Sequence, residues 1–169
     1  MTGKTHAIGG LTTLWLLPLA AVDSFGVAAA FAVLGALLPD LDAPISELSA
    51  TRILGVRPLV PVAIVVNRLL GHRGVLHALP GLFVCTLVCW WLVFIGWYIP
   101  AAAMLLGFMS HLALDACTIS GIPFLYPFKK SRHLLPAYMR VRTGSGAEDV
   151  VFLLLAFIVV IRLIDFLFV

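Results

Sequence analysis

The sequence predicts an all-α integral membrane protein, a helical bundle of about five transmembrane helices with a re-entrant or interfacial segment. Of the 169 residues, 62% are hydrophobic and 11% are charged, whereas a soluble domain is about half apolar and a quarter charged. The mean hydropathy is +1.12. The apolar residues are gathered into runs, several of which approach the roughly 20 residues needed to cross a bilayer. The length fits one membrane-embedded domain, residues 1–169.

The first apolar run is Ala7–Val22, interrupted by Pro18, and Asp23-Ser24-Phe25-Gly26 reads as a tight turn. The second run, Val27–Leu38, stops at Pro39. A long segment from Pro39 to His77 follows. Its middling apolar piece, Leu59–Leu70, is short for a span and suits an interfacial or re-entrant role. The third run, Ala78–Trp97, ends in Trp90, Trp91, Trp97 and Tyr98, the pattern of an interfacial aromatic belt. Tyr98-Ile99-Pro100 then reads as a turn, Ala101–Ile119 as the fourth span, Ser120–Glu148 as a basic loop and Val150–Val169 as the last span.

Charge orients the bundle. The net charge is +3 and the pI about 9.0. In so apolar a chain this signals topology rather than nucleic-acid binding. With the N-terminus cytoplasmic and the C-terminus outside, ten of the eleven Lys and Arg residues lie inside, and Arg162 alone lies outside. Lys4, the apolar stretch after it and "LAAVDS" form a rival pattern, that of a secretory signal peptide. Cys85, Cys89 and Cys117 form no CxxC pair and sit in apolar runs, so they are expected to be core thiols.

Ionisable groups at membrane depth are costly and persist when paired, solvated or functional. The topology brings nine such polar residues to the inner face: His6, Asp40, Asp42, His72, Arg73, His77, His111, Asp115 and Glu148. They come from five separate stretches, and neither the histidines nor the carboxylates entered the charge count that set the topology. His111 and Asp115 are four apart and share a helix face. Asp40 and Asp42, if extended, point the same way. His72 and His77 add imidazoles. Such a set of His, Asp and Glu suits zinc, manganese or iron rather than calcium, with zinc first and manganese next, as one ion or two.

Each motif also has a plainer reading. HxxxD is often a hydrogen-bonded pair, "PDLD" a capped turn, "HRGVLH" a cationic membrane edge, and Glu148 an acid favoured by a helix dipole. Shared sidedness favours a metal site formed by His6, Asp40, Asp42, His72, His77, His111 and Asp115. His133, within "KKSRHLLP", is expected to face loop or phospholipid instead, with Lys129, Lys130 and Arg132 contacting anionic lipid.

His6, "LLPDLD", "HRGVLH", "SHLALDACTISGIPFLYPF" and "RTGSGAE", in this order, resemble the YdjM-type family of predicted membrane-bound, metal-dependent hydrolases. The resemblance implies hydrolysis and a bacterial inner membrane. The HxxxD helix is also similar to metal-binding helices of zinc-dependent phospholipase C, which for His111 and Asp115 implies ligation and a phosphoester substrate. The sequence departs from the family at Ala78, where a hydroxyl residue often follows the second histidine.

The expected activity is therefore hydrolysis of a phosphoester in a lipid or other amphiphile at the cytoplasmic face, with the bilayer as partner. Arg73 is expected to meet phosphate. Glu148, or one of Asp40 and Asp42, is the candidate general base. The rival classes are a metal-handling membrane protein or transporter using the same cluster, and a scaffold in which the cluster only ties helices together.

Overall fold

The computed structural model describes residues 1–17, 22–42, 75–128 and 130–168. Among them the chain is helical, without strands. Helix α1 spans Gly3–Thr12 and runs into a 3-10 turn, Thr13–Leu16. Helix α2 spans Val22–Leu37 and continues as a 3-10 turn, Leu38–Asp42. Helices α3, Leu79–Phe94, and α4, Tyr98–Ala116, form a hairpin, and α5 spans Gly146–Phe168. Among the described residues, three segments are long and apolar enough to cross a membrane: Ser24–Leu41, Tyr98–Ala116 and Gly146–Phe168; Leu79–Phe94 is a shorter apolar helix. The interfacial or re-entrant piece expected at Leu59–Leu70 lies outside the described residues.

The interrupted run Ala7–Val22 holds α1, which stops at Thr12, and the 3-10 turn to Leu16, and the next helix starts at Val22. Two local expectations are corrected. Asp23-Ser24-Phe25-Gly26 is not a turn but the first part of α2. Residues that favour turns also favour the first turn of a helix, where the dipole suits an acid. The turn expected at Tyr98–Pro100 falls three residues earlier, because Gly96 takes φ +86° and Pro100 is tolerated in the opening turn of α4.

Packing centres on α2 and α4, which run along each other with α1 beside both. The contact is made of small side chains. Ala28, Ala32 and Ala36 recur every four residues on α2 and are fully buried. A Cβ on Gly107 would strike the Ala32 carbonyl, and one on Gly35 would strike the Met104 backbone. Gly10 of α1 presses on the same stripe, where its Cβ would lie 2.6 Å from the Ala32 oxygen. Between helices in lipid there is no hydrophobic drive to association, so close backbone approach over small residues takes over that role.

The outward surfaces are apolar. Phe83, Leu87, Trp90 and Phe94 of α3 and Leu153, Phe157 and Leu167 of α5 are exposed, as suits contact with lipid. Arg162, inside α5, is neutralised by Asp165 at 2.8 Å and lies over the Trp15 ring at 4.9 Å.

Gly107→Val is expected to push α2 away from α4 and cost about 1–3 kcal/mol, read as a lower melting temperature in detergent by circular dichroism. Gly26→Ala, with nothing within 4 Å of the new Cβ, is expected to stabilise α2 by up to about 1 kcal/mol in the same measurement.

Candidate metal centre

The helices alternate in direction, so the C-terminal ends of α2 and α4 meet the N-terminal ends of α1, α3 and α5. His6 comes from the first turns of α1, Asp40 from the 3-10 turn after α2, and His77 from just before α3. His111 and Asp115 come from the last turns of α4. The small-residue contact sets the depth of the centre. Gly107 rests on Ala32; one turn later on both helices, His111 Nδ1 lies 2.7 Å from the Ala36 carbonyl oxygen. A carbonyl only accepts, so Nδ1 carries the proton and donates, leaving the Nε2 lone pair facing the cluster.

The donor atoms crowd together. His111 Nε2 lies 3.2 Å from His77 Nε2. His6 Nε2 is 3.2 Å from Asp115 Oδ1, and His77 Nε2 is 3.5 Å from Asp40 Oδ1. His111 Nε2 is 3.9 Å from Asp40 Oδ1 and 3.9 Å from Asp115 Oδ2. The His6 and His111 rings stack with centroids 3.7 Å apart. Among the described residues, two overlapping sets could hold an ion: His6, His111 and Asp115, and Asp40, His77 and His111. Within each set the donor atoms all lie within 4.8 Å of one another.

The set fits a small divalent cation on its chemistry. A tetrahedral ion with bonds of about 2.0–2.1 Å to nitrogen holds its donors roughly 3.3 Å apart. His6, His77, His111 and Asp115 are buried to within 1% of completely. His6 Nε2 faces the Asp115 carboxylate at 3.2 Å, while His6 Nδ1 makes no hydrogen bond among the described residues, and a buried polar atom left so is costly. Asp40, with its side chain 21% exposed, is the member that reaches the surface.

Glu148 belongs to neither set. Its Oε1 accepts from the Thr2 backbone N–H at 2.5 Å, the Thr2 hydroxyl at 2.7 Å and the Thr5 hydroxyl at 2.8 Å. Its Oε2 accepts from the Gly144 N–H at 2.7 Å. The carboxylate thus ties the start of α5 to the first turns of α1, and so fixes the helix that carries His6. The Met1 ammonium in turn pairs with Asp115 Oδ1.

Of the residues singled out from sequence, His6, Asp40, His77, His111 and Asp115 come together, and Glu148 sits one layer behind them. His72 and Arg73 lie outside the described residues, as does the side chain of Asp42. The extended geometry expected for Asp40 and Asp42 is not adopted. Leu38–Asp42 is a 3-10 turn continuing α2, and positions i and i+2 of such a turn do not share a face. His133 is apart from the cluster and donates Nε2–H to the Ile119 carbonyl at 3.1 Å. The sequence reading does not single out Thr2, Thr5 or the Ala36 carbonyl. Thr2 is the N-cap residue of α1 and Thr5 lies in its first turn, ahead of His6, and a backbone acceptor leaves no mark in a sequence.

A family model described as "YdjM inner membrane protein" matches residues 1–168. The chain is 35% identical over 159 residues to the protein YvsG of Bacillus subtilis (strain 168), covering 89% of this chain and 87% of that protein. It is 39% identical over 99 residues to the inner membrane protein YdjM of Escherichia coli (strain K12), and the same figures hold for its counterpart in Shigella flexneri. Those matches span 57% of this chain and 47% of each relative. No solved structure matches. With the family pattern running along virtually its whole length, this chain belongs to the YdjM family of inner membrane proteins.

Proposed function

We propose that the chain is a membrane-bound, metal-dependent hydrolase that acts on a phosphoester of a lipid or similar amphiphile at the cytoplasmic face of the inner membrane. One observation supports this above the others: three imidazoles and two carboxylates from four separate stretches converge within 3.2–3.9 Å at one end of a membrane bundle. A scaffold could tie helix ends together with fewer ionisable groups. A transport site is expected nearer the bilayer midplane, between repeats. The position of this cluster, at the ends of its helices, suits chemistry on a molecule that is itself anchored at the interface.

His6, Asp40, His77, His111 and Asp115 are the residues that would hold the metal, with zinc preferred and manganese next. A bound divalent ion supplies Lewis acidity, which lowers the pKa of water and neutralises charge on a phosphoryl oxygen. The Ala36 carbonyl holds His111 in one tautomer and one orientation. With the ion in the His6, His111 and Asp115 set, the Asp40 carboxylate at the mouth of the cluster stays free to take a proton from water as general base. Arg73 has the planar fork that suits phosphate. Glu148, with both oxygens engaged, acts as a positioning residue for α1 rather than as the base.

His111→Ala and Asp115→Ala are expected to reduce bound zinc, measured by elemental analysis of the purified protein, from about one or two ions per chain to near none. Turnover of lipid phosphoesters should fall by at least about 100-fold in the same variants. Normal metal content without turnover of any lipid phosphoester would overturn the enzyme reading and leave the metal centre standing.

Glu148→Gln keeps an acceptor for Thr2 and Thr5 but turns an N–H group toward Gly144. It is expected to weaken zinc binding by about tenfold in calorimetry while stoichiometry at saturation is unchanged. If it abolished turnover with metal affinity and melting temperature both unaltered, Glu148 would be the acid–base group instead.

A further inference from the structure

Helix α4 carries a second feature on the side away from the cluster. At 100° per residue, Met109 and Ala113 point nearly opposite to His111 and Asp115, and they are exposed where the latter are buried. Here a cavity of about 310 Å³ opens between α3, α4 and the loop that follows, within the size range of small-molecule pockets. Leu82, Met109, Ala113, Ile122 and Phe124 give it apolar walls, and Arg132 and His133 stand on the loop side.

The loop is built to stay there. Ile122 and Arg132 exchange backbone hydrogen bonds at 3.1 and 2.8 Å, and the Leu134 N–H donates to the Ala116 carbonyl at 2.9 Å. The turn between requires Gly121, whose φ is +65° and whose Cβ would lie 2.6 Å from the Arg132 oxygen. Between residues 116 and 147 the sequence has five Lys and Arg residues and no acid. Among the described residues, Lys130, Arg132, Arg140 and Arg142 enter no ion pair. The same loop exposes Phe128 at 75% and Tyr138 at 87%. Basic side chains interleaved with exposed aromatic ones, at the end of membrane-spanning helices, match the headgroup region of an anionic leaflet.

We propose that this groove is a binding site for one anionic glycerophospholipid, with an acyl chain lying along Leu82, Met109 and Ala113 and the phosphate meeting Arg132. The chain is apolar and enters laterally from the bilayer, as the walls require. The head carries the negative charge that the acid-free loop lacks, and a guanidinium binds phosphate through paired hydrogen bonds. The site is distinct from the metal centre and does not depend on the hydrolase reading.

The test is native mass spectrometry of the full chain released from micelles containing equal phosphatidylglycerol and phosphatidylcholine. The wild-type chain is expected to carry a single lipid adduct, with phosphatidylglycerol favoured on the order of five-fold, the preference expected of one interfacial arginine. Arg132→Gln, an exposed change that leaves the helices alone, should equalise the two lipids. Ala113→Trp, which fills the groove from an exposed position, should remove the adduct while zinc content and helicity stay at wild-type levels. Equal adducts of the two lipids on the wild-type chain, or an adduct undiminished by Ala113→Trp in a protein of unchanged helicity, would overturn the proposal.

Discussion

The close approach of α2 and α4 is the constraint on which the rest of this structure depends. Gly107 against Ala32 and Gly35 against Met104 allow no side chain between the two backbones. That contact sets both the separation and the axial register of the helices. The register then decides the chemistry, because His111 stands one turn beyond Gly107 and finds the Ala36 carbonyl one turn beyond Ala32. A slip along the helix axis would leave His111 without that acceptor and free its ring to rotate. In a bilayer, where apolar burial does not favour one helix pairing over another, such steric fit is what selects a single arrangement.

The site adds an electrostatic layer to this packing. Imidazoles and carboxylates buried at the end of a membrane bundle are unfavourable unless they answer one another. Here they do so in two tiers. His6, Asp40, His77, His111 and Asp115 face inward on a shared point, while Glu148, Thr2, Thr5 and Gly144 hold the surrounding helix starts in place. Outer partners that fix the orientation of inner ligands are a general feature of metal sites. The stack of His6 on His111 adds contact between α1 and α4 at the same point.

Much of this was legible from residue order alone. Apolar runs identified the membrane class, and alternating helix direction then placed His6, Asp40, His77, His111 and Asp115 at one face before any distance was known. Two kinds of feature were not legible. Boundaries failed where one residue type serves two purposes: Asp23 and Ser24 open a helix as readily as they make a turn, and Pro100 starts a helix as readily as it ends one. Partnerships failed where the partner is backbone or lies far off in sequence, as with the Ala36 carbonyl and with Glu148 meeting Thr2 and Thr5 across more than 140 residues. The glycines and alanines of α2 and α4 read as ordinary apolar filler, since their importance lies in the neighbour each one admits.

The clasp between Glu148 and α1 bears on the order in which the protein is made. The ribosome delivers α1 first and α5 last, so the helix carrying His6 waits through the synthesis of nearly the whole chain before its anchor arrives. Until then α1 is held by its packing on α2 and α4 alone.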